Sequence, residues 1–190
     1  MQHLYLQTCI VLGCLSLTPL AASGQEVVHA VAGTVISINP ASKTFEIKTG
    51  DGSEGLFTVQ TKSGVAMDFD KEIRAEATPA SLFNKTKAQV VVYYFGDSDM
   101  RTAVAVEDLG PGPFITSVGS VVKFNRHERL LTIKNEAGQQ ESFHIQPKTV
   151  AETPDGVRQG ERFDAEKGDQ VRVVANLENG SETALFVRDL

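Results

Sequence analysis

The stretch Val31-Ala32-Gly33-Thr34-Val35-Ile36-Ser37-Ile38-Asn39 returns 86 residues later as Ser117-Val118-Gly119-Ser120-Val121-Val122-Lys123-Phe124-Asn125. With no gap, Phe45-Glu46-Ile47-Lys48 then falls on Leu131-Thr132-Ile133-Lys134, Gly52 on Gly138, Phe57 on Phe143 and Val59 on Ile145. Beyond that block the offset changes to 81. Gln89-Val90-Val91-Val92 meets Gln170-Val171-Arg172-Val173, and Thr102-Ala103 meets Thr183-Ala184. A period of this size, matched in both position and character, reads as one supersecondary unit present twice. Gly110-Pro111-Gly112-Pro113 lies between the copies and suits neither helix nor central strand, so it reads as a linker.

Each copy is rich in β-branched and aromatic residues that alternate with polar ones between turn residues. The expected strands of the first copy are 28–38, 43–49, 55–61, 88–96 and 100–108. Those of the second are 116–124, 129–135, 141–146, 170–176 and 182–189. Asp51-Gly52 and Asn179-Gly180 are hairpin turns on this reading, because their central positions accept positive φ. Helix is confined to single turns at 79–83 and 160–166. Five short strands in about 80 residues point to an all-β fold of two tandem five-stranded small barrels, OB- or SH3-like, with short β-sandwiches as the alternative. The expected organisation is a signal peptide at 1–24, a first barrel at 25–109, the linker at 110–113 and a second barrel at 114–190.

The signal-peptide expectation rests on a leader without Lys, Arg, Asp or Glu. Its apolar stretch runs from Leu4 to Leu20, and the small residues Ala21-Ala22-Ser23-Gly24 follow it. The apolar run is short for a transmembrane span and carries polar residues. Val11-Leu12-Gly13-Cys14 offers a minor alternative, lipidation at Cys14. Both cysteines, Cys9 and Cys14, lie in this leader, so a processed chain would have no disulfide and no Cys-ligated metal. The expected location is therefore periplasmic or secreted.

The run Gly-x-Val-x-x-Ile-Asn, Phe-x-Ile-Lys, Phe-x-Val-Gln and Thr-Ala-x-x-Val resembles small β-barrel domains of exported bacterial envelope proteins. The likeness spans Val31–Leu109 and Ser117–Leu190 and consists of structural glycines and strand alternation. It implies an envelope setting and carries no catalytic residue.

Composition narrows function by exclusion. A net charge of −6, from 18 basic and 24 acidic residues, argues against nucleic acid as a partner. No nucleophile elbow, phosphate loop or dinucleotide fingerprint is present, so neither an enzyme nor a cofactor is expected. Outside the leader's His3, His29, His127 and His144 share no ligand spacing, and no metal is assigned to them. Ala66-Met67-Asp68-Phe69 is faintly similar to the Met-x-Met-x-Phe segment of periplasmic copper chaperones. Val65 replaces the first Met and the chain has no Trp, so Met67 reads as a strand core residue. Asp97-Ser98-Asp99 reads as a turn, and Asp68, Asp70, Glu72 and Glu76 as the solvated face of a strand.

Alternation places Phe45, Ile47, Phe57, Val59, Val90 and Val92 inside the first barrel, and Leu131, Ile133, Phe143, Ile145, Val171 and Val173 inside the second. The opposite face carries Val91, Tyr93 and Phe95 in one copy, with Arg172, Val174 and Asn176 in the other. On the last strands it carries Ala103, Ala105 and Glu107, with Ala184, Phe186 and Arg188. Val91, Tyr93, Phe95 and Phe186 form an apolar stripe that needs cover. They are the candidate site, as the surface joining the two barrels or as a docking face for a partner. The leading functional expectation is a non-catalytic binding or structural module of the bacterial envelope that engages a protein or polysaccharide. A periplasmic metal-binding protein and an enzyme on an OB-like scaffold are the alternatives.

Overall fold

The computed structural model describes residues 24–61, 64–97, 100–178 and 181–190. The expected signal peptide up to Ser23, with Cys9 and Cys14, and most of the expected turns at Asp97–Asp99 and Asn179-Gly180 lie outside them. The chain is all-β. In order, its strands are β1 (Glu26–Val27), β2 (His29–Asn39), β3 (Thr44–Thr49), β4 (Glu54–Val59), β5 (Met67–Asp68), β6 (Thr78–Pro79), β7 (Gln89–Phe95) and β8 (Thr102–Asp108). They continue as β9 (Ile115–Asn125), β10 (Leu130–Asn135), β11 (Gln140–Thr153), β12 (Gly156–Gln159), β13 (Gln170–Glu178) and β14 (Ser181–Asp189). The helical residues are α1 (Lys71–Glu76) and 3₁₀ turns at Ala80–Leu82 and Gly160–Arg162.

Two six-stranded sheets result, one from each half of the chain. The first runs β4-β3-β2-β7-β8-β6, and β8 also pairs with β4. The second runs β10-β9-β13-β14-β11-β12, and β10 also pairs with β11. The second sheet thereby closes a five-stranded barrel through β10, β9, β13, β14 and β11. The first is ring-like, closed by the two-residue parallel ladder Thr58–Thr102 and Val59–Ala103. Strand closure by a parallel pair is matched in the second half by β11 and β14. Both halves have an OB-like, five-stranded arrangement.

The same local devices recur in both halves. Asn39 Oδ1 accepts from Ala41 and Ser42 N–H, and Asn125 Oδ1 accepts from His127 and Glu128 N–H. These Asx turns leave each strand and enter the next through a left-handed residue, Lys43 (φ 54°) and Arg129 (φ 55°). A Cβ on Gly33 would lie 2.7 Å from the Lys48 carbonyl oxygen, and one on Gly119 2.5 Å from that of Lys134. Only glycine admits that approach.

Two cores sit inside the rings. Phe45, Ile47, Phe57, Val90 and Val92 are buried in the first, and Leu131, Ile133, Phe143, Ile145, Val171 and Val173 in the second, as alternation requires. The last strands depart from simple alternation. An extra residue, Val104 in β8 and Leu185 in β14, bulges each ladder. Ala103 and Ala184 consequently turn into the cores inside the two rings, whereas Ala105 and Phe186 remain outside them. The expectation that Ala103 and Ala184 face outward is corrected by these bulges.

Two further corrections concern segments between strands. Asp70 is no strand residue: its Oδ1 accepts from Glu72 N (3.1 Å) and Ile73 N (3.3 Å), capping α1. In the second half, β11 continues past Gln146 and forms a hairpin with β12. Among the described residues, no helix is long and apolar enough to cross a membrane.

Candidate functional site

A third apolar cluster lies between the rings. It joins Val28, Ala30, Phe69, Ile73, Val91, Tyr93 and Ala105 from the first half to Val150, Val157, Val174 and Phe186 from the second. The stripe residues Val91 and Tyr93 are fully buried there and Phe186 is 1% exposed. None of these three is open to a partner. Phe95 is half-buried at the end of β7 and belongs to none of the three clusters. Met67 packs against the shared cluster from the partly buried rim, in a short strand paired with β1 rather than inside a barrel.

Charged links surround this cluster. Arg172 meets Asp51 at 2.7 Å, Arg162 meets Asp70 at 3.4 Å and Arg158 meets Asp68 at 3.4 Å. In each of these the second half supplies the cation. A hydrogen bond makes a fourth link between the halves. His29, at the start of β2, places Nδ1 2.8 Å from Glu152 Oε1 near the end of β11. Ala30 N–H donates to the other oxygen at 2.7 Å. Burial raises the Glu152 carboxyl above the usual carboxylate range, against the His29 hydrogen bond that lowers it.

The His29–Glu152 pair forms one wall of a cleft of about 440 Å3 between the two halves. Tyr94, Gly96, Asp97 and Arg101 line it from the first half, and Thr153, Pro154, Arg188 and Asp189 from the second. The Arg101 guanidinium lies 4.7 Å from the centroid of the Phe57 ring and 5.9 Å from that of Tyr94. Aromatic faces thus hold it in place. Burial raises the Tyr94 phenol above its ordinary value, while Arg188 and Arg101 act in the opposite direction. Both cations are therefore electrostatic neighbours of one hydroxyl, and Arg188 also acts on the Glu152 carboxylate across the cleft. Among the described residues, no carboxylate lies within ion-pair distance of Arg101 or Arg188. Arg126, Arg158, Arg162 and Arg172, by contrast, each meet one.

No protein-family model matches the chain, and no curated protein does. Solved structures with a related shape exist. The crystal structure of Ag(I)CusF has a TM-score of 0.33 and 15% identity, covering 42% of this chain and 100% of that one. Apo-CusF residues 6–88 from Escherichia coli has a TM-score of 0.33 and 13% identity, covering 44% and 95%. CusF-Ag(I) residues 10–88 from Escherichia coli has a TM-score of 0.32 and 14% identity, covering 41% and 92%. Each likeness extends over less than half of this chain. At this TM-score and identity it carries no argument about what the chain binds.

The three histidines outside the leader lie in different places. His29 is in the interdomain cleft, His127 is in the exposed turn after β9, and His144 is half-buried on β11. Among the described residues, no group of three or more His, Cys, Asp or Glu could hold a metal ion. The cleft itself was not visible in the sequence. Its charged residues come from four strand ends that share no local spacing, and only the apolar stripe signalled that the halves pack together.

Proposed function

We propose that this is an exported, non-catalytic binding module whose ligand presents a carboxylate or phosphate to the cleft between the two halves. The leader sequence supports export. The ligand group would belong to an acidic protein or polysaccharide of the envelope. One observation carries the reading: Arg101 and Arg188 line one cavity from opposite halves, without a carboxylate in ion-pair distance among the described residues.

Guanidinium groups bind carboxylate and phosphate through paired, charge-assisted hydrogen bonds. Two of them on opposed walls can take one anionic group between them. The shared apolar cluster fixes the walls, so little ordering is required on binding. The cavity is within the size range of ligand sites.

Binding is measured by calorimetry with acetate, citrate and inorganic phosphate as separate probes. Carboxylate probes favour an acidic polymer or peptide, whereas phosphate alone favours a phosphorylated one. A hydrogen bond to a charged group contributes about 1.5–3 kcal/mol, or roughly 10- to 100-fold in affinity. Arg101→Gln and Arg188→Gln are each expected to weaken binding by that order, and the double variant to abolish it. Binding unchanged in the double variant, or no binding by any probe, overturns the proposal.

A further inference from the structure

The far end of the first barrel holds an open apolar groove of about 570 Å3. Ile38, Val59, Leu82 and Phe83 form its apolar surface, and Lys43 stands at its rim. Leu82 is 70% exposed. The second half shows what chemistry belongs at this place. There, Ile38 corresponds to Phe124, Lys43 to Arg129, and the 3₁₀ turn Ala80–Leu82 with Phe83 to Gly160–Arg162 with Phe163. Arg129 reaches over that end of its own barrel. Its guanidinium donates to the carbonyl oxygens of Gly160 and Phe163 and lies 5.1 Å from the centroid of the Phe124 ring. Phe124 packs edge-on against Phe163 with centroids 5.3 Å apart.

The first barrel keeps the seat without its occupant. Its 3₁₀ turn is built the same way, with Phe83 N–H donating to the Ala80 carbonyl as Phe163 N–H donates to that of Gly160. Among the described residues, no side chain donates to the Ala80 or Phe83 carbonyl. Lys43 has the left-handed backbone of Arg129 but an exposed side chain. A compact ammonium is strongly hydrated and lacks the planar fork that satisfies two carbonyls at once. Water screens it at the rim.

We infer that the open end of the first barrel receives an arginine side chain from a partner polypeptide. The aliphatic stem lies along Ile38, Val59 and Leu82, and the guanidinium donates to the Ala80 and Phe83 carbonyls. A long cationic side chain can bury its stem against apolar surface while its head finds acceptors. The alternatives, an apolar side chain or a second copy of this chain, are outcomes of the test.

The test is an NMR titration of the full chain with arginine blocked at both ends (N-acetyl-arginine amide), beside the blocked lysine and blocked leucine analogues. Blocking removes the carboxylate, so the probe offers no anionic group to Arg101 and Arg188. The expected result is saturable shifts at Ile38, Val59, Leu82 and Phe83 with blocked arginine. Blocked lysine should bind about tenfold more weakly, the equivalent of one hydrogen bond. Lys43→Arg is expected to abolish these shifts, because the new side chain takes the seat as Arg129 does. The Arg101→Gln/Arg188→Gln variant should bind the probe unchanged, which separates this site from the cleft. Equal or stronger binding of blocked leucine or lysine overturns the inference. So does unchanged binding in Lys43→Arg, concentration-dependent self-association through the groove, or the absence of any shift.

Discussion

Asp70 holds the guanidinium of Arg162 at 3.4 Å across the two halves with one carboxylate oxygen, and caps α1 with the other. Its side chain is 1% exposed. The cap orders a six-residue helix too short to be stable alone, and so fixes Ile73 within the shared cluster. Asp70→Asn keeps an oxygen for the cap and loses the charge, while Asp70→Ala loses both. Loss of an N-cap costs about 1 kcal/mol. The expected order of stability is wild type, then Asp70→Asn, then Asp70→Ala, read from urea denaturation midpoints. Equal midpoints for the two variants would show that the cap contributes nothing.

The shared cluster packs the two halves against each other. Tyr93 packs on Phe69 with ring centroids 5.2 Å apart, and Phe186 enters the same cluster from the other half. Truncating a buried aromatic residue costs about 3–5 kcal/mol. Phe186→Ala is expected to lower stability by that amount and to split calorimetric unfolding into two transitions. The two cores inside the rings are untouched by the substitution, so each half retains its own hydrophobic centre. A single transition in Phe186→Ala, with its enthalpy intact, would show that the halves are coupled elsewhere.

Alternation made the barrel cores legible from Phe45, Ile47, Phe57 and their counterparts, and the paired offsets made the two halves legible. The bulges at Val104 and Leu185 were not. A one-residue insertion in a strand leaves no local mark when its neighbours, such as Ala103 and Ala105, are small enough for either face. In the sequence, Asp70 reads as a strand residue because acidic and apolar residues alternate around it. The competing signal, an acidic cap before Lys71-Glu72-Ile73, is just as short. The cleft was illegible for a different reason: His29, Arg101, Glu152 and Arg188 meet only once two separately closed sheets are placed face to face.

Gly33 and Gly119 test the strand pairing that the two halves share. A methyl group at Gly33 would lie 2.7 Å from the Lys48 carbonyl oxygen, and one at Gly119 2.5 Å from that of Lys134. Both obstacles are backbone atoms in a paired strand, so the ladder itself must shift. Overpacking of this kind costs about 1–3 kcal/mol. Gly33→Ala and Gly119→Ala are each expected to fall in that range, with similar losses in thermal midpoint. A neutral effect at either site would mean that the strand pair relaxes without penalty there.

The phenol of Tyr93 donates a hydrogen bond to Glu107 beside the shared cluster. Burial raises the Glu107 carboxyl above its usual 4.5, an effect that the Tyr93 hydrogen bond opposes. The folded chain therefore holds a proton at pH values where the unfolded chain has released it. By linkage, the contribution of Glu107 to stability is greatest below pH 4.5 and declines as pH rises through the folded-state value. Glu152 and Asp189, also raised by burial, act in the same direction. Asp51 acts oppositely: hydrogen bonds from Ser53 and Thr49 lower its carboxyl, so its contribution is lost as pH falls below 3.8. Glu107→Gln removes the decline at one position. It is expected to be more stable than wild type at pH 7 and equal to it at pH 4. Tyr93→Phe removes the opposing hydrogen bond, raises the Glu107 carboxyl further and should steepen the loss between those two values. Urea denaturation at pH 4 and pH 7 measures both, and parallel pH profiles for all three proteins would exclude Glu107 as the titrating group.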